Sequence, residues 1–300
     1  MPDVPEWTIG RLLQWTADYF QQQGIDSPRL DAEILLATAR KCARIDLYAA
    51  FHEPASDRVR AAFRELVRRR AEGTPVAYLV GKREFYSMPF RVTPDVLIPR
   101  PETESLVVAA LDQVTAVRAE TSTDRELAIA DVGTGSGAIA VALARHAGPC
   151  RVAAIDTSPA ALAIAKENAA NLGTGDRIDW FESDLFTNVS PDRLFDVVVS
   201  NPPYVAEHEF DRLDRDIRDH EPRQALIAGP TGTEVIERLL AQSADRLRPG
   251  GWLVIEISPT ISDAVKSLFA EDERWDNMTC SRDLAGNDRV VVARRKYEPS

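Results

Sequence analysis

The sequence predicts an α/β protein: a doubly wound, mostly parallel sheet whose last strand enters antiparallel, preceded by a small helical bundle and a β-hairpin that joins the two. Three observations carry this reading. Apolar residues recur at helical spacing through the first part of the chain, an aromatic stretch broken by turn formers follows residue 83, and from residue 127 short β-rich runs alternate with helix-length segments.

The helical part is marked by Leu12, Trp15 and Tyr19, then Leu30 and Ile34, then Val59, Phe63 and Leu66. Its boundaries have their own signals. Thr8 is placed to cap the first helix, Gly24 ends it, Ser27-Pro28 opens the next with proline in the first turn, and Gly73 follows a helix that starts near Ser56. Residues 1–82 therefore read as a bundle, 83–96 as a hairpin connector and 97–300 as the α/β domain. Within the last, strands are expected at 127–132, 151–155, 178–181, 195–200 and 252–257, each followed by a helix-length segment. The run 289–293 follows a turn at Gly286-Asn287 instead, which makes it the antiparallel member.

Composition narrows the class. With 300 residues, 44% hydrophobic and 28% charged, the chain is long enough to bury two cores. Its longest apolar runs, such as 138–144, fall short of a membrane span, and the opening Met1 to Gly10 lacks a basic region followed by an apolar one, so a cytoplasmic protein is expected. Cys42, Cys150 and Cys280 show no C-x-x-C spacing and read as buried thiols. His52, His146, His208 and His220 form no ligand pattern, and no catalytic metal is expected. The net charge of −11 argues against holding a long nucleic acid, whose phosphates call for a basic surface. That charge is uneven: residues 1–82 carry 12 basic against 11 acidic side chains, residues 83–300 carry 24 against 36. The basic run Arg58 to Arg70 reads as a solvated helix face, with an acidic protein partner as the alternative.

Two motifs carry the chemistry. Asn201-Pro202-Pro203-Tyr204 leaves the apolar run 195–200 and forms a clamp for a planar amide or amine. Two prolines stiffen the bend and leave their carbonyls as acceptors, and Asn201 adds a side-chain carbonyl. A substrate NH2 held between the Asn201 side-chain oxygen and the Pro202 carbonyl donates a hydrogen bond to each, with Tyr204 stacked on its plane. A proline-rich turn with Tyr204 as ordinary packing explains the same four residues in isolation. The second motif, Asp131-Val132-Gly133-Thr134-Gly135-Ser136-Gly137-Ala138, joins a strand to a helix, where glycines and helix amides approach a ligand closely. It also fits G-x-G-x-x-A and so does not separate a dehydrogenase from a methyltransferase. Asp156, at the end of the second strand, is placed for ribose hydroxyls; Asp184 and Leu185, at the end of the third, are placed for an adenine ring. Methylation of a nitrogen needs the clamp and hydride transfer does not, which favours a methyltransferase.

The chain resembles the Class I S-adenosylmethionine-dependent methyltransferases, specifically the protein-(glutamine-N5) methyltransferases of the HemK type that modify peptide chain release factors. Besides the glycine loop and clamp, the resemblance rests on the strings Gly73 to Gly81, Val96 to Glu104, Glu221 to Leu226 and Asp283 to Arg289, and it covers nearly the whole chain. It implies a seven-stranded Rossmann-like sheet, a substrate-recognition role for the bundle, and a monomer without direct nucleic-acid or membrane contact. S-adenosyl-L-methionine is then the donor and S-adenosyl-L-homocysteine the product. Gly133, Thr134, Gly135, Ser136, Gly137, Asp156, Asp184, Leu185 and Asn201 would hold the donor; Asn201, Pro202, Pro203 and Tyr204 would hold the glutamine of a Gly-Gly-Gln motif, with Asn201, Pro202 and Tyr204 catalytic. Arg100, Glu102 and Glu104 would close the donor pocket or cap the helix near Glu102. Ser258 departs from the family, which has glycine after the Glu-Ile pair. Rival readings are a DNA adenine-N6 or cytosine-N4 methyltransferase gripping a flipped base, which an acidic catalytic half disfavours, a ribosomal-protein glutamine methyltransferase, and a catalytically silent donor-binding regulator, which an intact clamp disfavours.

Overall fold

The computed structural model describes residues 7–121 and 125–297. Residues 1–6, part of the opening stretch read for a targeting signal, lie outside them, as do the first six residues of the 1–82 assignment and the last three of 97–300. In chain order come helices α1 (Ile9–Gln22), α2 (Pro28–Arg40), α3 (Arg44–Ala49), α4 (Asp57–Ala71) and α5 (Val76–Val80), then strands β1 (Lys82–Phe85) and β2 (Met88–Arg91). Next are α6 (Glu104–Thr121), β3 (Leu127–Val132), α7 (Ala138–His146), β4 (Cys150–Asp156), α8 (Pro159–Asn171), β5 (Ile178–Glu182), β6 (Phe195–Ser200) and β7 (Val205–Ala206). The last are α9 (Arg215–His220), β8 (Ile227–Gly229), α10 (Glu234–Arg246), β9 (Leu247–Glu256), α11 (Ser262–Glu271), β10 (Trp275–Arg282) and β11 (Asp288–Arg295).

The chain divides into two compact units, one of Met1–Gly81 with Asp214–His220 and one of Lys82–Leu213 with Glu221–Ser300. In the first, Ile9, Leu13, Phe20, Leu35, Leu36, Leu47 and Phe63 form a single apolar core. Thr8 Oγ1 accepts from the Arg11 amide at 3.2 Å and so caps α1, and Gly24 at φ +74 takes the left-handed turn that ends it. Arg70 donates to Asp31 at 2.8 Å and to Asp216 at 3.2 Å, which ties α9 into this unit.

The second unit is built on a seven-stranded sheet in the order β10-β11-β9-β6-β3-β4-β5. β11 runs antiparallel to both neighbours and the inner strands are parallel. Alternate residues feed opposite faces: Leu127 and Ile129 pack with Leu106, Val107 and Val141 on one side, Ala130 and Val132 with Ile236, Leu239 and Leu240 on the other. Burial on both faces explains the unbroken apolar runs of these strands. The hairpin turns at Tyr86 and Ser87, both at positive φ, and its Phe85, Met88 and Phe90 join the first of those cores.

The expected strand centres hold, with ends one or two residues longer at β4, β5 and β11, while β9 starts five residues earlier than expected and stops one residue sooner, at Glu256. β10 was not located in the sequence reading, because Trp-Asp-Asn-Met-Thr-Cys-Ser-Arg is mostly polar. It lies at the sheet edge, bends at Asn277 (φ 49) and is largely solvated. Of the thiols expected to be buried, only Cys150 is; Cys280 sits on that edge strand and Cys42 beyond the end of α2, both half-buried. Ser258 takes an extended φ of −83 and its Oγ accepts from the Thr260 amide, so the backbone there does not require glycine. Among the described residues no helix is long and apolar enough to cross a membrane.

Gly137 is the tightest of the loop glycines. At φ +80, a Cβ there would sit 3.0 Å from the Ala165 Cβ and 3.1 Å from its Cα on α8. Gly137→Ala is expected to lower stability by ~1–3 kcal/mol and the melting midpoint by several degrees, read by thermal unfolding.

Candidate active site

The site forms where two neighbouring parallel strands end. Val132 of β3 stands opposite Ser200 of β6, and the Ser200 hydroxyl donates to the Val132 carbonyl at 2.6 Å. The next residues are therefore Gly133 of the glycine loop and Asn201 of the clamp, side by side. A Cβ on Gly133 would lie 3.8 Å from the Asn201 carbonyl oxygen. Between β3 and β6 the chain order reverses across the sheet, which is where open α/β sheets bind ligands.

Gly133, Gly135 and Gly137 all have positive φ. The loop is pinned by the Gly133 and Thr134 amides, which donate to the Ile155 carbonyl, and by Gly137 N–H to the Thr134 carbonyl at 2.8 Å. A Cβ on Gly135 would meet nothing, so the loop leaves an open cradle. A cavity of about 230 Å³ opens over it, lined among others by Gly133, Gly135, Asp156, Asp184, Leu185, Asn201 and Pro203. A second, of about 50 Å³, shares Gly133, Gly135 and Asn201 with the first and adds Thr134, Ser136, Arg100 and Thr103. Gly137, Pro202 and Tyr204 line neither. Gly137 instead seats the start of α7 against α8, Pro202 is buried, and the Tyr204 ring packs against the apolar core beneath α10.

Asp156 accepts from the Gly135 amide at 2.8 Å and the Ser158 amide at 2.9 Å, and burial pushes its carboxyl up. Asp184 pairs with Arg238 at 2.5 Å and stays half exposed at the rim. Asp131, fully buried, accepts from the Thr134 hydroxyl at 2.6 Å and from the Ala140 amide at 3.0 Å. It thus caps α7 from the preceding strand, where Gly137 has no side chain to do so. Its Oδ1 has no hydrogen-bond partner among the described residues, and burial pushes its carboxyl up to about 7.

At the Asn-Pro-Pro-Tyr bend, Asn201 Nδ2 donates to Thr103 Oγ1 at 3.2 Å, and the Tyr204 hydroxyl reaches Glu256 Oε1 at 3.5 Å. Burial pushes the Tyr204 phenol up to about 12, with Glu256 adding to it, so the ring stays neutral and is no base at ordinary pH. Arg100 pairs with buried Glu221 at 2.5 Å. Glu104 accepts the Tyr86 amide at 2.8 Å and so faces the hairpin, while Glu102 is exposed and lines neither cavity; α6 starts at Glu104, after a tight turn Pro101–Thr103.

Several residues in and behind the cavity wall escaped the sequence reading. Asn168 donates to the Ser136 carbonyl at 2.9 Å and exchanges two bonds with Arg91, joining the glycine loop, α8 and the hairpin. Gln224, Ile227 and Arg238 line the larger cavity. Only Gln224 lay in a string singled out for its resemblance; the others sit in ordinary helical or strand patterns.

The glycine cradle, the acidic strand ends and the β10-β11-β9-β6-β3-β4-β5 sheet define a methyltransferase. Solved structures agree on the fold: the hMettl16 catalytic domain, in complex with a 3′-UTR hairpin, superposes with a TM-score of 0.54 at 17% identity over 76% of this chain and 81% of that one. The T. thermophilus 16S rRNA methyltransferase RsmC, in complex with AdoMet and guanosine, does so at 0.50 and 17% over 72% and 50%. Residues 11–81 match the PrmC N-terminal domain and residues 107–217 the methyltransferase small domain. Proteins named release factor glutamine methyltransferase match at 50% identity over 289 residues in Rhodopirellula baltica (96% of both chains), and at 42% in Koribacter versatilis (96% of this chain, 99% of that one). The chain belongs to the release factor glutamine methyltransferase family.

The raised Asp131 carboxyl has a stability consequence. The folded state holds its proton to higher pH than the unfolded chain does, so the stability it confers is present below the unfolded value near 4 and is lost as pH rises toward 7. Wild type is expected to lose on the order of 1–3 kcal/mol relative to Asp131→Asn between pH 4.5 and 8, measured by urea unfolding at the two pH values.

Proposed function

We propose that this protein transfers a methyl group from S-adenosylmethionine to the side-chain amide nitrogen, N5, of the glutamine in the Gly-Gly-Gln motif of a peptide chain release factor, as a cytoplasmic monomer, and thereby tunes translation termination. The observation that carries the reading is the adjacency of Gly133 and Asn201 at the ends of paired strands, which puts an amide clamp beside a donor cradle. The names of the relatives supply the substrate class.

S-adenosylmethionine supplies an electrophilic methyl group on a sulfonium. Open space over Gly135 suits a ligand that approaches the backbone, and the Asp156 carboxylate, already oriented by two amides, suits ribose hydroxyls. Leu185 and Asp184 at the end of β5 form the wall suited to the adenine, and the Gly133 to Gly137 loop bounds the remainder. An amide nitrogen is a weak nucleophile because its lone pair is delocalised into the carbonyl, so orientation rather than deprotonation is what the protein must provide. Asn201 Oδ1 and the Pro202 carbonyl each accept one N–H of the glutamine, fixing its plane, while Pro203 on the cavity wall stiffens the bend. Tyr204, neutral and packed beneath, supports the clamp from below; no proton passes through it. Such alignment is worth roughly 7–11 kcal/mol in favourable cases.

Asn201→Ala is expected to lower single-turnover methylation by about 10²–10³-fold while S-adenosylmethionine affinity, read by calorimetry, changes by less than threefold. The substrate is tested with labelled donor and, separately, release factor, the same factor with its Gly-Gly-Gln glutamine changed, ribosomal protein and duplex DNA. Label on the unaltered release factor alone supports the reading, and label on DNA or ribosomal protein overturns it.

A further inference from the structure

A glutamine side chain is short. For its nitrogen to reach Asn201, the main chain that carries it has to lie at the mouth of the cavity, and the two glycines of a Gly-Gly-Gln motif have to pass there with it. Glycine has no side chain to seat in a pocket, so that stretch can be held only through its peptide groups, each with one N–H donor and one carbonyl acceptor. It is also the residue that loses most conformational freedom when fixed, so a surface that holds it needs polar groups already in place.

One segment at the mouth meets both demands. An open basin of about 530 Å³ is lined by Pro222, Arg223, Gln224 and Ile227, and all of these except Arg223 also line the 230 Å³ cavity that holds Asn201 and Pro203. The basin thus runs into the clamp's cavity across this lip. On one side the lip is anchored by buried Glu221, which accepts from Arg100 at 2.5 Å and from the Ile98 amide at 3.4 Å. On the other, the Val205 amide donates to the Leu226 carbonyl at 2.9 Å, and Val205 stands opposite Ile227 in the β7–β8 pair. Val205 directly follows Tyr204, so lip and bend are joined by backbone pairing. Between the anchors the chain makes a tight turn, with the Ala225 amide on the Pro222 carbonyl at 2.9 Å and the Leu226 amide on the Arg223 carbonyl at 3.1 Å.

The side chains that this rigid turn presents are not used by the fold. Gln224 is exposed, and its carboxamide has no hydrogen-bond partner among the described residues. The Arg223 guanidinium carbon lies 4.3 Å from the centre of the Phe210 ring. Its side chain makes no ion pair among the described residues, although residues 83–300 carry 24 basic against 36 acidic side chains. An arginine stacked on an aromatic face keeps its N–H edges for another acceptor.

We infer that Gln224 is a substrate-binding residue: its carboxamide pairs with the main chain of the Gly-Gly stretch, accepting a peptide N–H at Oε1 and donating from Nε2 to a peptide carbonyl, while Arg223 donates to a carbonyl on the basin side. This rests on the reading of a release factor glutamine as the target. A main chain pinned at Gln224 enters the cavity in one register, so that the next side chain is the one delivered to Asn201. Because Gln224 also borders the donor's cavity, contact with the donor is the competing role, and the test has to separate the two.

The test uses the full chain with release factor. Gln224→Met, of similar length but without the amide, is expected to raise KM for release factor about fivefold or more, with kcat and Kd for S-adenosylmethionine within about threefold and the melting midpoint within about 2 °C of wild type. Arg223→Ala is expected to raise the same KM about threefold or more. A synthetic peptide spanning the motif, and its counterpart with an ester in place of the Gly-Gly amide, read the bond itself as competitors of release factor. The ester is expected to weaken inhibition of the wild type about fivefold and of Gln224→Met less than about twofold. A Kd for S-adenosylmethionine raised beyond its range assigns Gln224 to the donor and overturns the inference. An unchanged KM, an equal ester penalty in both proteins, or a peptide that does not compete overturns it as well. If Asn201→Ala turns over at the wild-type rate, the clamp reading falls and takes the lip with it; an Asn201→Ala loss alongside a normal KM in Gln224→Met removes the lip alone.

Discussion

The parallel pairing of β3 with β6 is the constraint on which the rest depends. Neighbouring strands lie ~4.8 Å apart, so residues that follow them in register cannot be far from one another. Val132 opposite Ser200, sealed by the Ser200 hydroxyl, makes Gly133 and Asn201 the first residues beyond the sheet edge on adjacent strands. The glycine loop and the Asn-Pro-Pro-Tyr bend, 68 residues apart in sequence from 133 to 201, are thereby held together by backbone hydrogen bonds and not by a flexible contact. The rigidity matters chemically. A reaction that depends on lining up a poor nucleophile tolerates little drift in either partner.

The same strand ends accept electrostatic costs that the rest of the fold avoids. Asp131 and Glu256 are both buried with one carboxyl oxygen unpartnered among the described residues, and burial raises both. Elsewhere in the sheet buried charge is better met: Asp196 at the opposite end takes both Arg125 and the Ala128 amide. Asp131 has a structural return for its cost, since it caps α7 where glycine is needed for the close approach of Ala165 on α8. A capping side chain and close packing against α8 are two demands on one position, Gly137, and the chain meets them by moving the cap to the strand before it. The second glycine of the trio, Gly135, turns its amide to Asp156, so the loop and the carboxylate beside it hold one another in place.

Much of this was legible in the sequence. The strands of the inner sheet are buried on both faces, so their apolar runs are unbroken and their positions stand out; the turn formers and caps of the helical part act locally and read directly, as Thr8 and Gly24 show. The glycine loop and the Asn-Pro-Pro-Tyr bend are contiguous, and contiguous motifs survive translation from sequence to space. What did not read was either solvated or assembled from distance. β10 is polar because it forms the outer edge, and Asn168 reaches Ser136 and Arg91 through folding alone. Tyr204 shows the limit of a motif most clearly. Its sequence position beside Asn201 suggested a ring lying on the substrate, whereas the backbone bend carries the ring into the apolar layer below, next to Glu256, a residue whose relation to the clamp no spacing rule encodes.

The central claim, that a rigid bend presents carbonyl oxygens to a carboxamide beside the donor, is tested most directly by a crystal structure of the protein with S-adenosylhomocysteine and a Gly-Gly-Gln peptide. The account predicts the glutamine nitrogen within ~3.2 Å of both Asn201 Oδ1 and the Pro202 carbonyl, facing the sulfur, with Asn201 Nδ2 still turned to Thr103. A glutamine bound away from Asn201, or one meeting its nitrogen, would contradict it.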